Sequence, residues 1–127
     1  MHYLLDSHSF IWWDCNPEKL SAQARLICED GSNTLFLSLA SIWEISIKVS
    51  IKKIDLRLPL ESIVKQQYEN GVQLLPIKVD HLYRAASLPH YHRDPFDRLI
   101  IAQAQIEDLT LISVDSLIKK YAVRWID

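Results

Sequence analysis

A chain of 127 residues with 49% hydrophobic and 24% charged residues and no low-complexity tract is the length of one compact domain, able to bury about two-thirds of its unfolded surface around a core. Disorder, collagen-like structure and a second full domain are excluded by that composition. The net charge of −2 lacks the broad positive field that holds nucleic acid by charge alone, and two glycines are too few for a Walker loop or a GxGxxG fingerprint, so ATP and NAD binding are disfavoured.

Tyr3-Leu4-Leu5 is a short apolar run that ends at Asp6, and Ser7 to Trp13 follows as a helix of little more than one turn. Asn16-Pro17 signals a turn, with Pro17 suited to the first position of a helix through Glu18 to Glu29, where Leu20, Ala24, Ile27 and Cys28 recur at helical spacing. Gly31 stops it, and Thr34 to Ser38 reads as a buried strand. In residues 42–52 apolar and polar side chains alternate, which taken alone predicts a strand. No hairpin turn fits between Ser38 and Ile42, however, and the stretch is long beside strands of about five to six residues, so a helix is expected. Helical patterns at Leu60 to Asn70, Asp80 to Leu88 and Phe96 to Asp108 then separate strands at Gly71 to Pro76, Thr110 to Val114 and Val123 to Ile126. Strands alternating with helices imply right-handed crossovers around a parallel sheet.

The longest apolar stretch, Thr34 to Ile45, is interrupted by Ser38, Ser41 and Glu44 and is too short to span a bilayer. Asp6 falls where the apolar segment of a signal peptide would run and no basic leader precedes it, so a cytoplasmic location is expected. Cys15 and Cys28 have neither CxxC nor zinc-type spacing and read as reduced core thiols.

Four acids stand where strands end or helices begin: Asp6, Glu44, Asp97 and Asp115. Each has a purely structural explanation. Asp6 and Asp115 can cap the helices that follow them, Glu44 completes a capping box with Ser41 and stands four residues before Lys48, and Asp97 sits in the first turn of a helix capped by Asp94 and begun by Pro95. Location favours a further role, because in a parallel α/β sheet the carboxyl ends of strands and the N-termini of helices share the ligand-binding edge. Acids gathered there raise one another's pKa unless a divalent cation neutralises them, and hard carboxylate oxygens suit Mg²⁺ or Mn²⁺.

Tyr3-Leu4-Leu5-Asp6-Ser7-His8, Ser41-Ile42-Trp43-Glu44-Ile45, the block from Leu88 through His90-Tyr91-His92-Arg93-Asp94-Pro95-Phe96-Asp97-Arg98 to Ala104, and Leu111-Ile112-Ser113-Val114-Asp115 resemble the PIN-domain ribonucleases, and within them the VapC-type toxins of toxin–antitoxin pairs. The third block is highly specific, and the others occur in the right order. The resemblance covers nearly the whole chain and implies a single PIN domain over residues 1–127: a three-layer α/β/α sandwich with a parallel five-stranded sheet. It also implies an acidic quartet at Asp6, Glu44, Asp97 and Asp115 and magnesium-dependent cleavage of RNA to 5′-phosphate and 3′-hydroxyl ends, with a homodimer restrained by a cognate antitoxin.

Within that quartet Asp6 and Asp97 are the expected direct ligands, Asp115 a ligand or a water-linked neighbour, and Glu44 a ligand to a second metal or the group that orients water. Ser113 and Asp94 are expected to support them by hydrogen bonding. With so little net positive charge, RNA must be gripped locally, by Lys48, Lys52, Arg93, Arg98, Lys119 and Lys120. His90 and His92 read as loop residues that position the segment after them. Trp12 and Trp13 mark a partner surface or the core, with one of the two facing inward. Two other readings remain open: a silent PIN-like protein-binding module, and a phosphoacceptor domain with Asp6 as nucleophile, which lacks a second aspartate because position 8 is His8.

Overall fold

The computed structural model describes all 127 residues. Five strands, β1 (His2–Leu5), β2 (Thr34–Ser38), β3 (Gln73–Leu75), β4 (Thr110–Ile112) and β5 (Trp125–Ile126), form one parallel sheet in the order β3-β2-β1-β4-β5. Six helices connect them: α1 (Ser7–Cys15), α2 (Ala22–Glu29), α3 (Leu39–Ser50), α4 (Leu60–Glu69), α5 (Val79–Ser87) and α6 (Pro95–Glu107).

Pleating divides the apolar side chains of the sheet between two cores. Tyr3, Leu5, Leu35, Leu37 and Ile112 pack with Phe10 of α1, Ala24 and Cys28 of α2, Ile45 of α3 and Ile63 of α4. Leu4 and Leu111 face the other way, onto Leu88 and onto Ile100, Ile101 and Ala104 of α6. The result is the expected α/β/α sandwich. Trp12 and Trp13 are both half-buried against the first core, so neither is set apart as the outward member of a pair. Cys28 is buried, Cys15 is half-buried and both are free thiols, with burial pushing Cys28 up to about 12. No helix is long and apolar enough to cross a membrane.

Three local expectations are corrected. The helix through Glu18 to Glu29 is broken: Pro17–Lys19 is a 3₁₀ turn, and Ser21 caps a separate α2 by accepting from the Ala24 amide at 3.0 Å, a bond open to serine in extended backbone. Residues 42–50 are helical as expected, but the helix starts earlier. Ser38, the last residue of β2, caps α3 by accepting from the Ala40 amide at 3.0 Å, so Ser41 and Glu44 form no capping box. The segment after Asp115 is a 3₁₀ turn, Ser116–Lys120, rather than an α-helix.

Strand order determines where a site can open. From β1 the chain moves outward through β2 to β3, and later returns to add β4 and β5 on the other side of β1. The topological switch point therefore lies between β1 and β4, and the crevice beyond their carboxyl ends is the ligand-binding position of an open parallel sheet. Asp6 follows β1, its amide donating to the Ile112 carbonyl at 3.1 Å, and Ser113-Val114-Asp115 follows β4.

Candidate metal centre

Asp6 is buried at the N-terminus of α1, and its Oδ1 accepts from the Ser9 amide at 2.8 Å. Burial raises its carboxyl above the ordinary aspartate range, opposed by hydrogen bonding from Ser113 and Ser9. Glu44 lies on α3, more than one turn inside the helix and 3% exposed. A buried acid needs partners, and both its oxygens have one: Ser7 Oγ donates to Oε1 at 2.5 Å, and Lys48 Nζ donates to Oε2 at 2.8 Å. Burial works against the Lys48 ammonium, yet the Glu44 bond holds it above its ordinary value. Lys48, expected to grip RNA, thus also pairs with Glu44.

Asp94 caps α6 by accepting from the Phe96 amide at 2.9 Å, with Pro95 at the first helical position, and this places Asp97 in the first turn. The Asp97 carboxyl is pushed up to about 8, first by burial and then by the charges of Asp94, Glu44 and Asp6. Asp115 caps the 3₁₀ turn through Oδ1, which accepts from the Leu117 amide at 2.9 Å, while its own amide donates to Ser113 Oγ at 3.1 Å. Asp97 and Asp115 meet at His92, whose Nε2 is 2.6 Å from Asp115 Oδ2 and 3.2 Å from Asp97 Oδ2. One ligand atom from each of these three residues can be chosen so that all lie within 4.8 Å of one another.

The structure thus brings Asp6, Glu44 and Asp94 within electrostatic range of Asp97 and places His92 between Asp97 and Asp115. His92 does position the segment after it, since its Nδ1 accepts from the Asp94 amide at 3.2 Å. Its reach to two acids has no local sequence signal, because it requires the loop before α6 to meet the turn after β4. His90 is exposed and outside the cluster.

The side chains present suit a divalent cation. A carboxyl raised by burial and then by neighbouring carboxylates stands in a site short of positive charge, and the available donors are hard oxygens. Glu44 and Asp115 are engaged by protein donors at both oxygens, whereas Asp6 accepts one main-chain bond and Asp97 has only the more distant edge of His92. Coordinating capacity is therefore greatest on Asp6 and Asp97.

Among the other expected cations, Lys52 and Arg93 are exposed and form no ion pair. Arg98 is half-buried with its Nε unpartnered, Lys119 Nζ lies 5.1 Å from the Trp125 ring centroid, and Lys120 Nζ lies 5.9 Å from that of Tyr91.

Comparison with known proteins adds three findings. The PIN domain family matches residues 3–124. Ribonuclease VapC22 of Mycobacterium tuberculosis is 30% identical over 119 residues, 93% of this chain and 90% of that protein. Solved structures with a similar fold include VapBC2 from Rickettsia felis bound to a promoter DNA fragment, with a TM-score of 0.72 and 16% identity over 99% of this chain and 98% of that one. They also include VapBC-1 from nontypeable Haemophilus influenzae, with a TM-score of 0.66 and 18% identity over 100% and 98%.

Proposed function

This chain belongs to the PIN domain family, and from that premise we propose that it is a metal-dependent endoribonuclease of the VapC type, the toxin of a toxin–antitoxin pair. The observation that carries the reading is the Asp97 carboxyl, held at the head of α6 among Asp6, Glu44 and Asp94 beside the switch point of the sheet. Residues 1–127 act as a single PIN domain, in the cytoplasm.

Asp6 and Asp97 would hold Mg²⁺ or Mn²⁺ directly, with Asp115 and Glu44 completing its surroundings. When bound, the cation supplies charge that offsets that of a phosphodiester and makes water nucleophilic near neutral pH. The chain's own residues prepare that environment. The Ser9 amide fixes Asp6, Ser7 and Lys48 fix Glu44, and the Leu117 amide fixes Asp115, so each carboxylate is oriented before substrate arrives. Ser113 stands between the two strand ends, its side chain favouring the charged form of Asp6 and its hydroxyl accepting from the Asp115 amide. RNA is gripped by Lys48, Lys52, Arg93, Arg98, Lys119 and Lys120, Lys48 doing so beside the Glu44 carboxylate that it also pairs with.

The partners in this reading are RNA, a cognate antitoxin and a second copy of the chain. A hollow of about 450 Å³ formed by Trp43, Leu82, Ala85, Phe96 and Leu99, where α3, α5 and α6 leave apolar surface open, is a surface available to a protein partner. Trp43 is 64% exposed there and meets the Phe96 ring edge-on at 5.7 Å, and an uncovered tryptophan backed by a second ring is the kind of anchor around which interfaces concentrate their energy.

Cleavage of single-stranded RNA by purified protein should require Mg²⁺ or Mn²⁺ and fall at least about 100-fold in Asp6→Asn and Asp97→Asn, as expected when electrostatic stabilisation of the transition state is removed. Undiminished cleavage in either variant would refute the assignment. A protein-binding module without a metal site would show neither cleavage nor thermal stabilisation by millimolar Mn²⁺.

A further inference from the structure

His92 is the one member of the cluster that carries no acid, and its two ring nitrogens have different tasks. Nδ1 accepts from the Asp94 amide at 3.2 Å, so in the neutral ring the proton resides on Nε2. That proton points at Asp115 Oδ2, 2.6 Å away, with Asp97 Oδ2 at 3.2 Å. Oriented this way, Nε2 is a donor to Asp115 and offers no lone pair to a cation.

The loop that carries the ring is fixed as well. The His92 amide donates to the Tyr121 hydroxyl at 2.9 Å, and that hydroxyl donates to the Pro89 carbonyl at 2.6 Å. Tyr121 is itself buried, and the ring of Tyr91 packs edge-on against it at 5.3 Å. Three anchors, at Pro89, His92 and Asp94, therefore hold the imidazole in a single orientation between two carboxylates that come from distant parts of the chain.

We infer that His92 is a positioning residue of the metal centre, a bracket whose Nε2–H hydrogen-bonds to Asp115 and holds that carboxylate beside Asp97, whose Oδ2 lies 3.2 Å from the same nitrogen, without ligating the ion itself. This rests on the proposed metal-dependent reading of the same site. The bracket gives Asp115, which projects from a short turn after β4, a fixed relation to Asp97 on α6. No main-chain hydrogen bond runs between those two segments.

Glutamine and asparagine separate the possibilities. Glutamine carries an amide N–H to about the place of Nε2 and cannot reproduce an imidazole ligand, whereas asparagine can accept from the Asp94 amide but falls short of Asp115. Mn²⁺ binding to the full-length purified chain, measured by calorimetric titration, should weaken about 10- to 100-fold in His92→Ala and His92→Asn and stay within about threefold of wild type in His92→Gln. In cleavage assays the loss in Ala and Asn should be made good by raising Mn²⁺, and Gln should need no such rescue.

If His92→Gln binds Mn²⁺ as weakly as His92→Ala, the imidazole nitrogen is itself a ligand and the bracket is refuted. It is equally refuted if the Ala and Asn variants bind as wild type does. Should His92→Ala fail to fold, the Asn and Gln pair decides alone, since Asn keeps the bond to the Asp94 amide. Failure of the unmodified chain to bind Mn²⁺ would instead overturn the metal centre, and the bracket with it.

Discussion

Folding makes the Asp97 side chain a weaker acid, because its carboxylate would have to share a buried corner with Asp94, Glu44 and Asp6. Its pKa rises from 3.8 to about 8, so between those values the native chain binds more protons than the unfolded chain. Stability of the metal-free protein must therefore fall as pH rises through that window. A melting temperature that declines from about pH 5 to pH 8 without metal, flattens in Asp97→Asn and recovers with saturating Mn²⁺ is the expected pattern, read by calorimetry. A flat profile in the metal-free wild type would count against carboxylate crowding. At this scale the four acids were legible because each follows a strand or stands near a helix start, positions with a known chemical address. The bonds that commit them were less so. Ser7 reaches Glu44 across 37 positions and His92 reaches Asp115 across 23, and neither separation has a periodic signature. The Glu44–Lys48 pair is visible as an i,i+4 spacing, and its bond sets the Lys48 ammonium beside the acids.

The head of α6 shows how one element serves both stability and the site. Asp94 satisfies an amide that the helix leaves unpaired and also adds a negative charge beside Asp97. Asp94→Ala removes both, so two effects of opposite sense are expected: a loss of about 1 kcal/mol from the missing cap, and a fall of the Asp97 pKa toward the ordinary range. Urea denaturation at acidic pH, where Asp97 is protonated in either protein, should isolate the first effect. NMR titration of the Asp97 carboxyl should report the second. An unchanged titration would show that Asp94 does not act on its neighbour. Elements of this kind, opened by an Asp-Pro cap and carried by apolar periodicity, are readable from the order of residues alone. The start of α3 was not, because two serines could each have capped it and the choice depends on where β2 stops. The break before α2 was missed for a related reason: Leu20 and Ala24 keep helical spacing across Ser21, whose hydroxyl nevertheless turns the chain into a cap.

For the molecule as a whole, alternation of strands and helices was enough to anticipate a parallel sheet, whereas the strand order that puts β1 beside β4 came only with the fold. The sequence also left unspecified which apolar residues stay uncovered: Leu39, Trp43 and Ile47, spaced one helical turn apart, are all exposed. Trp43→Glu would place a charge in the hollow between α3, α5 and α6; if the proposed self-association uses that face, sedimentation should find a dimeric wild type and a monomeric variant. A wild type that sediments as a monomer, or a variant that remains dimeric, would remove that hollow from consideration as the self-association face. The strand order also bears on when activity can first arise. During synthesis, β1 emerges early and can pair with β2, but its other edge stays open until residues 110–112 arrive, and Asp115 follows later still. A nascent polypeptide translated only as far as α6 therefore lacks both the strand that flanks β1 on its open edge and the last acid, so the carboxylate cluster cannot assemble until the final part of the chain has emerged.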